Sequence, residues 1–223
     1  MLFAFFHPAM PDDPLIFVEV ALLSEVPDAI GPILAADRKR TDLDTATVAT
    51  FDSISNCHAG LRGVSFGNFL IKQVVAELQK LRPNLKTFVT LSPVPGFRKW
   101  VAQSLQNGDA LLSDTDKATL SELGEHDLPQ DDFITQLAAR FLKQAKRASG
   151  TVADPVAHFH LGNGATLLRI HPGADLSLRG TENSWGVMVN YLYDGETIEQ
   201  NHQAYASDHD VSASPRVTAL SKG

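Results

Sequence analysis

The apolar residues of this chain gather in short runs separated by polar or proline-rich breaks, a pattern typical of buried strands. The opening MLFAFFH ends at Pro8 and predicts a strand rather than a secretion signal. After a proline-rich break at 8–14, the dense run 15–23 predicts a buried strand, and a loop with one short helix follows over 25–44. Residues 45–55 are β-branched and aromatic and predict the next strand.

Helical periodicity is clear in two segments, and capping residues mark a third. In 69–81 the apolar residues recur at helical spacing, namely at Leu70, Val74, Leu78 and Leu81. A second amphipathic helix begins at Asp131, turns Phe133, Leu137, Phe141 and Leu142 inward, and ends in basic residues, as the helix dipole prefers. A third helix is predicted to start with Asp154 as N-cap and Pro155 at its first position, and to end near Leu161 before a Gly-Asn-Gly turn.

Three further apolar runs, 85–91, 165–170 and 187–193, complete the predicted strands. The acidic, polar stretch at about 107–132 predicts a solvated insertion, and it lacks the spacing of a calcium-binding loop. The last 20 residues are polar and weakly patterned, and no internal repeat is present. We therefore expect one domain spanning residues 1–223.

Composition narrows the class of protein. Hydrophobic residues make up 43% of the 223 residues and charged residues 20%, which is ordinary for a folded globular chain. The formal net charge of −7 argues against a nucleic-acid partner, because affinity for phosphate backbones comes from Lys and Arg. Cys57 is the single cysteine, so no intramolecular disulfide can form, and no apolar run reaches the ~20 residues of a membrane span. We expect a cytoplasmic protein with neither a nucleic-acid nor a membrane partner.

A glycine-containing loop, GLRGVSFGN at 60–68, lies between a predicted strand and the helix at 69–81. Such a loop can direct several backbone N–H groups at one anion, and the helix dipole adds positive potential there. Its spacing fits neither the phosphate loop ending in Gly-Lys-Ser/Thr nor the dinucleotide fingerprint. The order Arg62-Gly-x-x-x-Gly does resemble the pyrophosphate loop of the acetyltransferase superfold, which binds coenzyme A. From the local pattern alone, a plain turn that needs two glycines stays equally open.

Two segments carry candidate catalytic residues, and one of them lies at the end of a strand, where α/β proteins place chemistry. Ser92 follows the strand 85–91 in a turn fixed by two prolines and a glycine, although capping such a turn is the commoner role of a Ser-Pro pair. His158 and His160 lie on the predicted third helix, where a separation of two puts them on opposite sides. If that segment were a strand instead, both would face one side, and a metal site with His171 would be credible.

Four segments together resemble the malonyl-CoA decarboxylase family. In the family's order and spacing they are SISNCHAGLRGVSFGNFLIKQVV, LSPVPGFRKW, VAHFHLGNGA and ADLSLRGTENSWGVMVNYLY. The similarity runs from about Phe3 to the end of the chain, and the second and third segments are its most specific parts. It implies an α/β (α+β) fold of the acetyltransferase (GNAT-like) superfold, a mixed sheet flanked by helices. It also implies a cofactor-free carboxy-lyase that converts malonyl-CoA to acetyl-CoA and carbon dioxide in fatty-acid and malonate metabolism.

The resemblance assigns roles to individual residues. The family's serine falls on Ser92, as proton acceptor, and its histidine on His160, as proton donor, with no metal ion. Two supporting polar positions fall on Ser53 and Tyr193. The loop that binds the coenzyme A thioester falls on Arg62, Gly63, Val64, Ser65, Phe66, Gly67 and Asn68. Some members carry glutamate where this chain has Ser65, so the role of that carboxylate does not transfer.

The expected chemistry is stabilisation of the enolate that remains when carbon dioxide departs. Backbone N–H groups, with Tyr193 or Ser53, would face the thioester oxygen. Ser92 would contact the departing carboxylate and hydrogen-bond His160, whose unperturbed pKa near ~6.5 suits proton transfer at neutral pH.

The resemblance also bears on what surrounds the chain. Family members begin with a helical oligomerisation domain and the first strand and helix of the catalytic domain, which would precede Leu2. We therefore expect the start of the domain to be truncated, and the full-length family member to be a homo-oligomer. Two other functions stay open: an acyl-CoA-dependent acyltransferase with the same fold, and a non-catalytic acyl-CoA-binding fragment.

Overall fold

The structure is a computed structural model that describes residues 1–37, 43–58, 67–124 and 127–222, apart from the side chains at 52–53, 55–56 and 67–70. The strands in these residues are β1 (Leu2–His7), β2 (Met10–Leu23), β3 (Val48–Asn56), β4 (Thr87–Thr90), β5 (Ser92–Pro93), β6 (Thr166–His171) and β7 (Met188–Leu192). The helices are α1 (Gly31–Leu34), α2 (Gly67–Leu81), α3 (Phe97–Asn107), α4 (Asp114–Glu122), α5 (Asp131–Gln144), α6 (Pro155–Gly162), α7 (Leu178–Ser184), α8 (Ile198–Asp208) and α9 (Pro215–Leu220).

The described strands form one mixed sheet in the order β1-β2-β3-β4-β7-β5, with β6 also paired to β7. The β3–β4 pair is parallel and the remaining pairs are antiparallel. A mixed α/β fold was predicted and is confirmed.

One hydrophobic core joins the sheet to α2 and α5. The predicted inward positions Val74 and Leu78 on α2 and Leu137 and Phe141 on α5 are at most 1% exposed. These helices therefore pack through the faces that their periodicity predicts. Leu81, the last residue of α2, is exposed.

The second strand is longer and less buried than predicted. The proline-rich break at 8–14 reduces to a tight turn, because β2 already begins at Met10 and pairs with β1. Its pairing with β3 starts only at Ile16, so the prolines lie where the strand has one neighbour and few N–H groups are needed. Along the run predicted to be buried, Ile16, Val18 and Val20 face the core while Glu19 is exposed, so only one face of the strand is covered.

Most of the described residues of the polar segment 107–132 are exposed, but the segment is not irregular throughout. It contains α4, whose N-cap Ser113 exchanges hydrogen bonds with Asp116 in a capping box. Leu112, Leu120 and Asp116 are buried, and Asp116 forms an ion pair with Arg140 of α5. The acidic composition of this segment gave no sign of α4, which packs on the hydrophobic core.

The C-terminal region is also more ordered than its weak pattern predicts. It contains α8 and α9, and Tyr205, Val211 and Val217 are buried. Ser214 caps α9, whose first residue is Pro215, so the start of this helix was readable from local rules. None of the helices in the described residues is long and apolar enough to cross a bilayer.

The sheet opens where the site lies. Parallel β3 and β4 are paired from Val48 and Thr87 to Phe51 and Thr90. Beyond that point β3 continues to Asn56. The segment that follows β4 turns away from β3 and pairs with β7 as β5, with Ser92 opposite Val189. The two carboxyl ends therefore diverge, and Ser92 stands at the point of divergence.

Candidate active site

Ser92 does not cap the turn that follows it. The next helix, α3, begins after Gly96 and has no side-chain cap. The Ser92 hydroxyl is buried instead, 2.9 Å from Thr90 Oγ1 and 3.0 Å from His160 Nε2. The alternative in which this serine serves only as a turn cap is therefore wrong.

His160 reaches Ser92 from α6. This segment is a helix from Pro155 to Gly162, capped by Asp154 as predicted. Its two histidines serve different partners, because His158 Nδ1 lies 2.8 Å from the Tyr205 hydroxyl, away from Ser92. The alternative that required a strand here, a metal site shared by the two histidines, is wrong. Among the residues that the structure describes, no group of three or more His, Cys, Asp or Glu side chains could hold a metal ion.

Two tyrosines of the last strand fix the imidazole ring. Tyr193, just past β7, places its hydroxyl 2.7 Å from His160 Nδ1. Tyr191 stacks on the ring with 4.5 Å between centroids and 23° between planes. Both ring nitrogens and one ring face of His160 are thus held by other side chains of the protein.

The hydrogen bonds of this network run in one direction. The Ser92 hydroxyl donates to Thr90 Oγ1, so its oxygen is free to accept the Nε2–H of His160. Nδ1 then carries no proton and accepts the Tyr193 O–H. The sequence of donors is therefore Tyr193, His160, Ser92.

Burial keeps this network neutral. Desolvation lowers the pKa of His160 to about 3, and it raises the pKa of Tyr193 well above its ordinary value of 10.0. The unperturbed pKa of ~6.5 considered for His160 does not hold in the folded protein, because the ring is buried, and no sequence pattern revealed this burial. At pH 7 the histidine is an uncharged imidazole.

The whole chain, residues 1–223, matches the family described as malonyl-CoA decarboxylase C-terminal domain. The chain belongs to the malonyl-CoA decarboxylase family. It is 35% identical to the mitochondrial malonyl-CoA decarboxylase of Anser anser anser over 97% of this chain and 48% of that protein. The enzyme of Rattus norvegicus is 34% identical over 97% of this chain and 50% of its own length. The chain thus spans about half the length of the curated relatives it matches.

Solved malonyl-CoA decarboxylases share this fold. The crystal structure from Rhodopseudomonas palustris has a TM-score of 0.91 at 46% identity, covering 98% of this chain and 52% of that one. The structure from Agrobacterium vitis has a TM-score of 0.91 at 48% identity, covering 98% and 56%. A GNAT-like decarboxylase solved with isobutyryl-CoA, 17% identical with a TM-score of 0.52 over 86% of this chain and 76% of that one, supports the predicted superfold.

The structure unites three of the site residues predicted from the family, Ser92, His160 and Tyr193. Ser53 lies on β3 opposite Glu19, but its side chain is outside the described residues. Gly67 and Asn68 begin α2, with side chains likewise outside. The remaining loop predictions, Arg62, Gly63, Val64, Ser65 and Phe66, fall outside the described residues altogether.

Two supporting residues escaped prediction. Thr90 accepts the Ser92 hydroxyl and also the Tyr191 N–H at 3.3 Å. Since residues two apart in an extended segment share a face, its position relative to Ser92 was the available signal. Asn190 is fully buried and donates to the carbonyls of Thr90 and Pro27, both at 3.0 Å. Its place inside the apolar run 187–193 was the available signal for its burial.

Proposed function

We propose that this chain is the catalytic region of a malonyl-CoA decarboxylase, converting malonyl-CoA to acetyl-CoA and carbon dioxide without a cofactor. The observation that carries the proposal is the 3.0 Å contact between Ser92 and His160 at the divergence of β3 and β4, in a chain of this family. The site offers a buried hydroxyl and a fixed imidazole at the point where β3 and β4 stop pairing. These are the groups that proton delivery to an enolate requires.

The neutral state of His160 suggests how the proton arrives. Malonyl-CoA carries a free carboxylate, and an anion placed beside Ser92 favours the protonated imidazole and raises its pKa. His160 then takes up a proton only when the substrate is present. Tyr193 supports both states, because its hydroxyl donates to a bare Nδ1 and accepts from an Nδ1–H.

The chemical step then balances in charge and protons. The bond between the α-carbon and the carboxyl carbon breaks, carbon dioxide leaves, and the electron pair moves onto the thioester oxygen as an enolate. The Ser92 hydroxyl gives its proton to the α-carbon and takes the Nε2 proton of His160. The imidazole returns to its neutral form, and the anionic charge brought by the substrate has been consumed.

The enolate oxygen needs hydrogen-bond donors of its own. The Tyr193 hydroxyl is bound to His160, so we assign this tyrosine to orienting the imidazole rather than to the thioester oxygen. Backbone N–H groups of the loop 62–68, with Ser53, stay the predicted donors. Each such donor typically contributes roughly 10²–10³ in rate.

The test is turnover without an acceptor. The protein is incubated with malonyl-CoA alone, and carbon dioxide and acetyl-CoA are measured together. Equal amounts of the two products support the proposal. Free coenzyme A and an acylated amine, formed only after an amine is added, would favour the acyltransferase. Calorimetric binding of coenzyme A without turnover would favour a non-catalytic acyl-CoA-binding role.

We further propose a reducing compartment, with the cytoplasm as our first choice, and a part in malonate and fatty-acid metabolism. The support for the compartment is the single cysteine, Cys57, which is free and exposed. The relatives from Anser anser anser and Rattus norvegicus are named as mitochondrial enzymes, and fractionation of cells producing the full protein decides between the two compartments. Homo-oligomerisation of the full-length protein is part of the same proposal.

A further inference from the structure

Asp154 is the most enclosed carboxylate near the site. It precedes α6 and is 1% exposed. Its two oxygens have different partners. Oδ1 accepts the N–H groups of Val156 and Ala157, each at 2.9 Å, and so caps α6. Oδ2 accepts the N–H of Gly96 at 3.1 Å, which belongs to a different part of the chain.

Gly96 stands at the start of the other helix that bears on the site. It is the N-cap of α3, where no side chain of its own segment provides a cap. It follows Ser92 by a short turn, and a Cβ at this position would lie 3.4 Å from Asp154 Oδ2 and 3.5 Å from Phe141. Glycine thus lets the carboxylate approach closely. One carboxylate joins the amino ends of two helices, where the helix dipoles favour negative charge.

Only one residue of the reacting pair lies on these helices, since Ser92 belongs to β5. Ser92 lies at the entrance to α3, and His160 lies within α6, 68 residues further along the chain. An ordinary N-cap needs one oxygen, which Oδ1 already supplies. We propose that Asp154 is a positioning residue that holds the Ser92 turn against the His160 helix through its second oxygen. This inference rests on the proposed function for its consequence in catalysis, but the holding itself is a structural property.

Misplacement should be costly, because a shift of about 1 Å between reacting groups can reduce a rate by about 100-fold. The separating variant is Asp154→Asn. Its amide oxygen can still cap α6, but its –NH₂ group then faces the Gly96 N–H, donor against donor. If the amide group is flipped, its –NH₂ group faces the N–H groups of α6 instead, and α6 loses its cap. Either the Gly96 hydrogen bond or the α6 cap is therefore lost in each orientation. Asp154→Ser is the second variant, because serine keeps a cap and has no second oxygen.

A matched control is Ser113→Ala, which removes a helix cap from α4. Ser113 and its partner Asp116 make none of the contacts described around Ser92 and His160. We expect Asp154→Asn and Asp154→Ser to lower kcat about 10- to 100-fold with KM for malonyl-CoA within about threefold of wild type. Ser113→Ala should change the unfolding midpoint comparably and leave kcat within about twofold.

A second measurement does not depend on turnover. With ¹⁵N-labelled histidine, the Nε2–H of His160 gives a signal whose exchange with water is slowed by the bond to Ser92. We expect this exchange to be at least about tenfold faster in Asp154→Asn and unchanged in Ser113→Ala. The inference is overturned if Asp154→Asn has the kcat and the exchange rate of wild type. It is also overturned if Ser113→Ala loses as much kcat as Asp154→Asn does. If the wild-type protein fails to decarboxylate, the proposed function fails alone, and the exchange experiment still decides the role of Asp154.

Discussion

The Asp116–Arg140 pair and the Ser92–His160 pair are both buried polar contacts, yet only the first carries charge. The Arg140 guanidinium donates one hydrogen bond to each carboxylate oxygen of Asp116, at 2.7 and 2.9 Å. Burial alone would raise the pKa of Asp116, but hydrogen bonds from Arg140 and Ser113 outweigh it and hold that pKa at about 2. At His160 burial acts without such compensation and lowers the pKa to about 3, which leaves the ring neutral.

The difference separates a structural pair from the pair that we propose to be reactive. The carboxylate of Asp116 already has its counter-charge, so an incoming anion or proton has little to gain there. His160 is enclosed but uncharged, so the group that makes it charged must arrive from outside. A malonyl carboxylate would do so. In this protein, a buried titratable side chain that lacks its counter-charge marks the site better than the more visible salt bridge does.

The largest effect expected from this comparison is on turnover, in His160→Asn. Removing the proposed proton source should lower kcat by about 10²–10⁴-fold while coenzyme A affinity changes little, because both ring nitrogens are bonded to Ser92 and Tyr193. Steady-state kinetics and calorimetry with coenzyme A provide the measurement. His158→Asn is the matched control from the same helix and should stay within about threefold of wild type. Turnover retained in His160→Asn would remove this histidine from the mechanism.

The next effect is on stability, in Asp116→Ala. It leaves the Arg140 guanidinium buried without its partner and should cost about 3–5 kcal/mol in the free energy of unfolding. Urea denaturation measures this. Replacing both partners, Asp116→Leu with Arg140→Met, should recover most of the loss, because no charge then remains buried. The kcat of the folded double variant should match wild type; a large fall would mean that the two polar clusters are coupled.

Local rules predicted the parts of the site that depend on neighbours in sequence. Asp154 and Pro155 announce the start of α6 because capping involves residues only two or three apart. The Ser92–His160 contact joins residues 68 apart in the sequence, and no periodicity predicts it. The prediction of this contact came from the family resemblance. The motif Ser113-x-x-Asp116 was a readable helix start within the stretch expected to be solvated.

The sequence did not reveal which polar side chains would be buried. Asp116 on α4 contacts Arg140 on α5, 24 residues further along the chain. In its acidic surroundings in the sequence, Asp116 therefore resembled a surface carboxylate. The lowered pKa of His160 has the same origin, because it depends on the enclosing rings of Tyr191 and Tyr193. These packing partners are brought together only by the completed sheet.

A smaller effect is expected in Tyr193→Phe, which leaves His160 Nδ1 without a hydrogen-bond donor. We expect a cost of about 1–3 kcal/mol in the free energy of unfolding and a fall in kcat of about tenfold. Tyr205→Phe is a matched control, because it removes the hydroxyl that binds His158 Nδ1 at 2.8 Å. It should lower stability without lowering kcat. Equal kcat values in the two variants would contradict the role of Tyr193 in holding the imidazole.

The smallest effect is a difference in the pH dependence of stability, and it tests the neutral histidine directly. The folded-state pKa of His160 is about 3 and its ordinary value is 6.5, so between these values the unfolded chain binds a proton that the folded chain does not. Stability should therefore fall as pH is lowered from 6.5 toward 3, with a contribution from this residue of about 1.4 kcal/mol per pH unit near pH 5.

Asp116 acts in a lower window. Its folded-state pKa of about 2 lies below the ordinary 3.8, so its stabilisation is complete above pH 3.8 and is lost as pH falls through 2. The free energy of unfolding in urea is therefore measured between pH 4.5 and 6.5, a range that lies above the Asp116 window. Its slope against pH should be shallower in His160→Asn than in wild type. The double variant Asp116→Leu with Arg140→Met should keep the wild-type slope. Identical slopes in wild type and His160→Asn would mean that the folded protein already holds the imidazolium, and the contrast between the two buried pairs would disappear.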